Sequence, residues 1–128
     1  MTTWILAVLA LYLVQIYATA LFYLPSVSLF KLAGGRDALP DKGRLGLRAD
    51  KALVNMKENL PFFLVPAVLA YVLPNTDMGL AVLGAQMFFW GRLAYVPAYV
   101  TGIPGPRSIA YGVALIGNII TVAALFGG

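Results

Sequence analysis

The sequence contains no cysteine and no histidine in 128 residues. Without cysteine there is no disulfide, no thiolate metal ligand and no cysteine nucleophile. Without histidine the commonest general base and the commonest metal ligand are missing. No metal site is expected, and any activity has to draw its reactive group from another molecule. Charge is scarce as well: Asp, Glu, Lys and Arg make up 11% of the chain, against about a quarter in soluble domains. What is there is apolar, with 61% hydrophobic residues and a mean hydropathy of +0.85. Such a chain is solvated by lipid.

The formal net charge of +4 is no nucleic-acid signal, because its placement accounts for it. Lys31, Arg36, Lys42, Arg44, Arg48 and Lys51 lie in or beside one segment, offset by Asp37, Asp41 and Asp50. Before that segment, residues 1–30 carry no charged side chain, enough helix to exceed a hydrocarbon core of about 30 Å. A cleavable signal sequence fits less well, despite the Ala18-Thr19-Ala20 triplet: the start has no Lys or Arg and the apolar stretch is too long. The pattern predicts one domain over 1–128 with four membrane-spanning helices, at about 3–30, 47–73, 78–100 and 107–125. Pro74-Asn75-Thr76-Asp77 marks a tight turn, and Gly102-Ile103-Pro104-Gly105-Pro106 breaks the third helix from the fourth.

Charge asymmetry orients the spans. The basic cluster lies between helices 1 and 2, and Arg92 and Arg107 flank the connection between helices 3 and 4. The turn between helices 2 and 3 has only Asp77. By the positive-inside rule the first and third connections face the cytoplasm and both termini face away. A multi-pass protein of a bacterial cytoplasmic membrane is the expected setting.

Residues 51–63 read KALVNMKENLPFF. Lys51, Asn55 and Glu58 share one helix face, while Lys57 points elsewhere and can reach the headgroups. On helix 3, Arg92, Tyr95 and Tyr99 share a face in the same way. Counted from the tight turn, Glu58 and Tyr95 both lie about 26 Å along antiparallel helices. Arg107 starts helix 4 on that side. A single cationic, donor-rich zone with one carboxylate is expected there, suited to a small zwitterion. Each of these residues could instead glue helices together or anchor an end. An intramembrane carboxylate such as Glu58 is a functional candidate by default.

Other polar positions read as packing: Tyr12, Gln15, Thr19 and Tyr23 on helix 1, and Asn118 as an interhelical hydrogen bond. Phe88, Phe89 and Trp90 read as lipid or helix contacts. Pro61, Pro66 and Pro97 are expected to bend helices 2 and 3, since each removes a backbone donor.

KALVNMKENLPFF resembles the helix 2 signature of the MAPEG family, the membrane-associated proteins in eicosanoid and glutathione metabolism. RLAYVPAYVTGIPGPRS, residues 92–108, resembles that family's second signature, and the four-span layout matches. The resemblance implies a homotrimer of four-helix subunits with glutathione, or a related thiol, bound between subunits near the cytoplasmic side. By motif position it implies glutathione contacts from Lys51, Asn55, Glu58, Arg92, Tyr95 and Tyr99, with Glu58 near the amino group. Arg107 takes the place of the arginine that stabilises the thiolate, and Ser108 follows it. Lys31 or Arg36 reaches in from the neighbouring subunit. Lys51 stands where the family usually has arginine, and so offers a point charge rather than a planar fork. The implied activity is transferase- or peroxidase-like, on lipophilic electrophiles from the bilayer. Two other readings stay open: a non-catalytic lipid-binding protein of this fold, and a small multidrug transporter, although transporters of that kind place their carboxylate in helix 1.

Overall fold

The computed structural model of the chain describes residues 1–21 and 43–127. Every regular element among them is helical: α1 (Thr2–Leu21), α2 (Gly43–Val72), α3 (Met78–Thr101) and α4 (Pro104–Ala124). The expected end of helix 1 near residue 30, and the basic segment from Lys31 to Lys42, lie outside the described residues. Tyr23 lies outside them too.

The breaker before α4 is shorter than expected. The helix starts at Pro104, not Arg107. Proline suits a first turn because its missing N–H has no intrahelical partner there. Arg107 therefore sits at the end of the helix's first turn. Gly102 ends α3 in the left-handed region, at φ 79°, with its N–H turned back to Tyr99 and Ala98 carbonyls. At the opposite end Asp77 caps α3, its side chain accepting from Leu80 N at 3.1 Å. The Asp77 N–H bonds Ala124 O at 2.9 Å, which fastens the α2–α3 turn to the end of α4.

α2 runs unbroken for 30 residues through Pro61 and Pro66, and α3 for 24 through Pro97. Proline deletes the bond to the carbonyl four residues earlier. The Lys57 carbonyl, next to Glu58, thereby loses its helical partner.

α3 and α4 form the closest-packed pair. Their seam is built from small residues: Ala81, Gly84 and Gly91 against Ala110, Ala114, Gly117 and Thr121. A Cβ placed on Gly91 would lie 2.7 Å from Ala114 N and 2.8 Å from Ala110 O. Backbone meets backbone here, as in lipid, where packing rather than water expulsion drives association. α1 and α2 close over this pair. Val8, Met56, Leu60, Phe63, Ala67 and Phe88 form the main core, with the Phe63 and Phe88 rings stacked at 4.7 Å. Trp4 of α1 meets Phe89 at 5.8 Å.

The outside is apolar. Ile109, Phe62 and Val72 are each about 70% exposed, and Trp90 faces outward. Among the described residues, two helices are long and apolar enough to cross a membrane: α1, through its window Thr2–Thr19, and α4. α2 carries Arg44, Arg48, Asp50, Lys51, Lys57 and Glu58 between its start and its middle.

Candidate functional site

The site grows from one buried guanidinium. Arg92 is fully buried on α3. Its Nη1 donates to Asn55 Oδ1 on α2 at 2.6 Å. Asn59, one turn further along α2, donates from Nδ2 to the Asn55 carbonyl at 2.8 Å and to Asn55 Oδ1 at 3.3 Å. The Arg92 Cζ lies 4.3 Å from the Tyr95 ring centroid. Nε and Nη2 of Arg92 have no hydrogen-bond partner among the described residues. A buried cation held by one amide oxygen and one ring face keeps unused donors, a state that is costly unless an acceptor reaches them.

Beside it lies a cluster of aromatic rings. Tyr95 meets Tyr99 at 5.5 Å and Tyr111 at 6.1 Å, packed with Ala52 and Ala110. The Arg107 Cζ lies 5.1 Å from the Tyr99 ring centroid, within cation–π reach. Tyr95, Arg107, Ser108 and Tyr111 line a cavity of about 220 Å³. Arg48 of α2 reaches the end of α3, its Nη1 donating to Val100 O at 3.5 Å. That guanidinium lies where a side chain at position 102 would stand, but it is the end of a flexible chain that can move aside; the positive φ is what requires glycine.

The structure thus brings together Asn55, Arg92, Tyr95, Tyr99, Arg107 and Ser108. It does not bring in Lys51 and Glu58. Both are exposed on α2, without a hydrogen bond or ion pair among the described residues. They share an exposed stripe of α2 with Val54. Lys31 and Arg36 lie outside the described residues. Sequence reasoning passes over Tyr111 and Asn59. Both stand one turn after a chosen residue, Arg107 and Asn55, and that i, i+4 spacing is the signal that could have found them.

A second, larger space opens between α2 and α4. It has a volume of about 790 Å³, and its walls include Asn59, Phe62, Val65, Tyr111, Leu115 and Asn118. Tyr111 borders both spaces. Asn118 does not make the interhelical hydrogen bond expected of it. It is 6% exposed, and its Oδ1 has no partner among the described residues. The Oε1 of Gln15 on α1 is likewise buried without a partner among the described residues.

The described residues form an all-helical bundle with an apolar exterior, two candidate spans and a buried guanidinium, which suits a helical membrane protein. The chain belongs to the MAPEG family: the model of that family matches residues 1–127, nearly the whole sequence. A search of curated proteins finds no match. Membership gives the protein a membrane role related to glutathione or to eicosanoid metabolism, and glutathione is the thiol this family generally uses.

Proposed function

We propose that the protein is a membrane-embedded, glutathione-dependent transferase- or peroxidase-like enzyme acting on lipophilic electrophiles. The observation that carries this reading is the cavity lined by Tyr95, Arg107, Ser108 and Tyr111, next to the buried Arg92 with its unused donors. Two cations and three tyrosines converge in a chain that has no thiol and no imidazole of its own.

The donor set suits an anionic, thiol-bearing peptide. Arg92, pre-aligned by Asn55, has Nε and Nη2 ready for a carboxylate. Glu58 suits an amine, and Lys51 a second carboxylate. A thiol with pKa near 8.5 is only a few per cent ionised at neutral pH. Arg107, on the first turn of α4, adds its charge to the partial positive charge of that helix end, and Ser108 offers a hydroxyl donor. Both favour sulfur as thiolate. In conjugation the thiol proton passes to water, the sulfur electron pair forms the S–C bond, and the leaving group departs with its bonding electrons.

The cavity alone is smaller than the roughly 300–1,000 Å³ of ordinary small-molecule sites. It fits the thiol end of a tripeptide and not the whole. Glu58 and Lys51, exposed on a lipid-depth helix, would be costly against hydrocarbon. Both observations support a site completed by a neighbouring copy; that the assembly is a homotrimer and the site cytoplasmic is part of the proposal.

The test is glutathione conjugation to a chromogenic electrophile by purified protein in mild detergent. A saturable, glutathione-dependent rate is expected. The apolar space between α2 and α4 favours one other reading, a non-catalytic lipid-binding role. Lipid binding without turnover would select it.

A further inference from the structure

We propose that Gln15 of α1 is a positioning residue for Arg92. Through one bridging water its amide oxygen accepts from the edge of the guanidinium that Asn55 leaves free, and so fixes the plane in which Arg92 meets its ligand. The pairing stands on geometry; its effect on a bound carboxylate rests on the proposed function.

Burial supplies the first observation. Gln15 is 5% exposed and Arg92 is fully buried. Among the described residues, Gln15 Oε1 is an acceptor without a donor, and Arg92 Nε and Nη2 are donors without an acceptor. Each such group is costly inside a bundle, and the two needs are complementary. No direct hydrogen bond joins them. One water, accepting from Arg92 and donating to Gln15, has the two or more polar partners that a buried water takes.

Position along the helices brings the two groups to one level. Val8, Leu11, Gln15 and Thr19 are buried along one stripe of α1. Val8 packs in the core with Met56 and Leu60 of α2 and Phe88 of α3. The Thr2 hydroxyl meets that of Tyr71, near the end of α2, so α1 runs opposite to α2 and alongside α3. Gln15 lies two turns beyond Val8, about 10 Å. The same two turns lead from Phe88 to Tyr95, and back from Met56 to Ala49 and from Leu60 to Leu53. Arg92 reaches that level by its length: its Cζ lies 4.3 Å from the Tyr95 ring centroid. Ala49 and Leu53 are buried and have no side-chain donor for Gln15. The guanidinium carries five N–H groups in one plane. Asn55 takes one at Nη1 and Gln15 takes one on the Nε–Nη2 edge, which leaves donors over for a carboxylate.

The experiment measures thermal unfolding and glutathione affinity, the latter by tryptophan fluorescence, on the purified full chain in mild detergent. Gln15→Leu should lower the unfolding midpoint in the wild type. In Arg92→Met, where the water has lost its donors, the same change should raise the midpoint or leave it unchanged. An equal loss in both backgrounds overturns the pairing. If Arg92→Met does not fold, Gln15→Glu decides. Beside a buried cation the carboxylate is paired, and the midpoint of Gln15→Glu should exceed that of Gln15→Leu. With no cation in reach a buried carboxylate is the worse of the two, so the reverse order overturns the proposal. Glutathione affinity should follow a different order. Gln15→Leu should weaken it about tenfold by loosening Arg92, and Gln15→Glu further, by competing with the ligand's carboxylate for the same donors. Affinity that tracks the midpoint across wild type and both variants overturns the positioning role and leaves Gln15 a helix contact. Absence of glutathione binding in the wild type removes the glutathione reading, while the midpoints still decide whether Gln15 pairs with Arg92.

Discussion

Arg92 on α3 and Asn55 on α2 meet at 2.6 Å, and the amide oxygen of Asn55 is the hydrogen-bond acceptor that the buried guanidinium has among the described residues. The pair therefore joins two helices and aims a cation. The orientation of Asn55 is in turn fixed by Asn59.

Removing the amide leaves a buried charge without its acceptor. Asn55→Leu should destabilise the protein by about 2–3 kcal/mol, read as thermal unfolding in mild detergent. Combining it with Arg92→Met should recover much of the loss, because both polar partners are then gone. Equal, additive losses in the double variant would show that the bond does not couple the two residues.

The small-residue seam makes a second prediction. Gly91→Ala pushes a methyl against Ala110 O and Ala114 N and should cost about 1–3 kcal/mol by overpacking. Gly105→Ala has nothing within 4 Å of the added carbon and should leave thermal stability nearly unchanged. Similar midpoints for the two variants would contradict the close approach of α3 to α4.

How much of this was legible beforehand depends on what each feature requires. The helices follow from long apolar runs between Pro and Gly signals, and the Arg92–Tyr95–Tyr99 face follows from helical periodicity alone. The start of α4 is displaced because the same proline reads as breaker or as first helical residue, depending on its neighbours. The bond from Arg92 to Asn55 is a relation between helices, which periodicity within one helix does not contain. Lys51 and Glu58 share a helix face with Asn55 in the sequence, yet packing turns only Asn55 inward. Tyr111 looks like any aromatic residue in an apolar helix until its ring is placed beside Tyr95.

The outward face of Lys51 and Glu58 bears on assembly. If a neighbouring copy covers it, crosslinking in mild detergent should stop at trimer. Glu58→Gln should then weaken glutathione binding about tenfold or more, with turnover at saturation changed less, since its proposed partner is the ligand's amine. A strict monomer that binds glutathione with wild-type affinity would rule out a shared site.

Arg107 carries the chemical part of the proposal. It stands on the first turn of α4, over the Tyr99 ring, in the wall of the cavity it shares with Ser108. If it stabilises thiolate, its contribution is larger when sulfur is charged than when the thiol is neutral. Arg107→Ala should then keep glutathione affinity within about tenfold, or 1.4 kcal/mol, while turnover falls on the order of a hundredfold. The thiolate absorbance of bound glutathione should fall with turnover. Arg107→Lys should restore part of both, since lysine keeps the charge but not the planar fork that lies over Tyr99. Ser108→Ala should give a smaller loss, because a neutral donor gives less than a charged one. Retained absorbance and turnover in Arg107→Ala would make Arg107 an anchor of the helix end, held by its ring contact and the interface, and would move the search for the sulfur-activating group to Arg92.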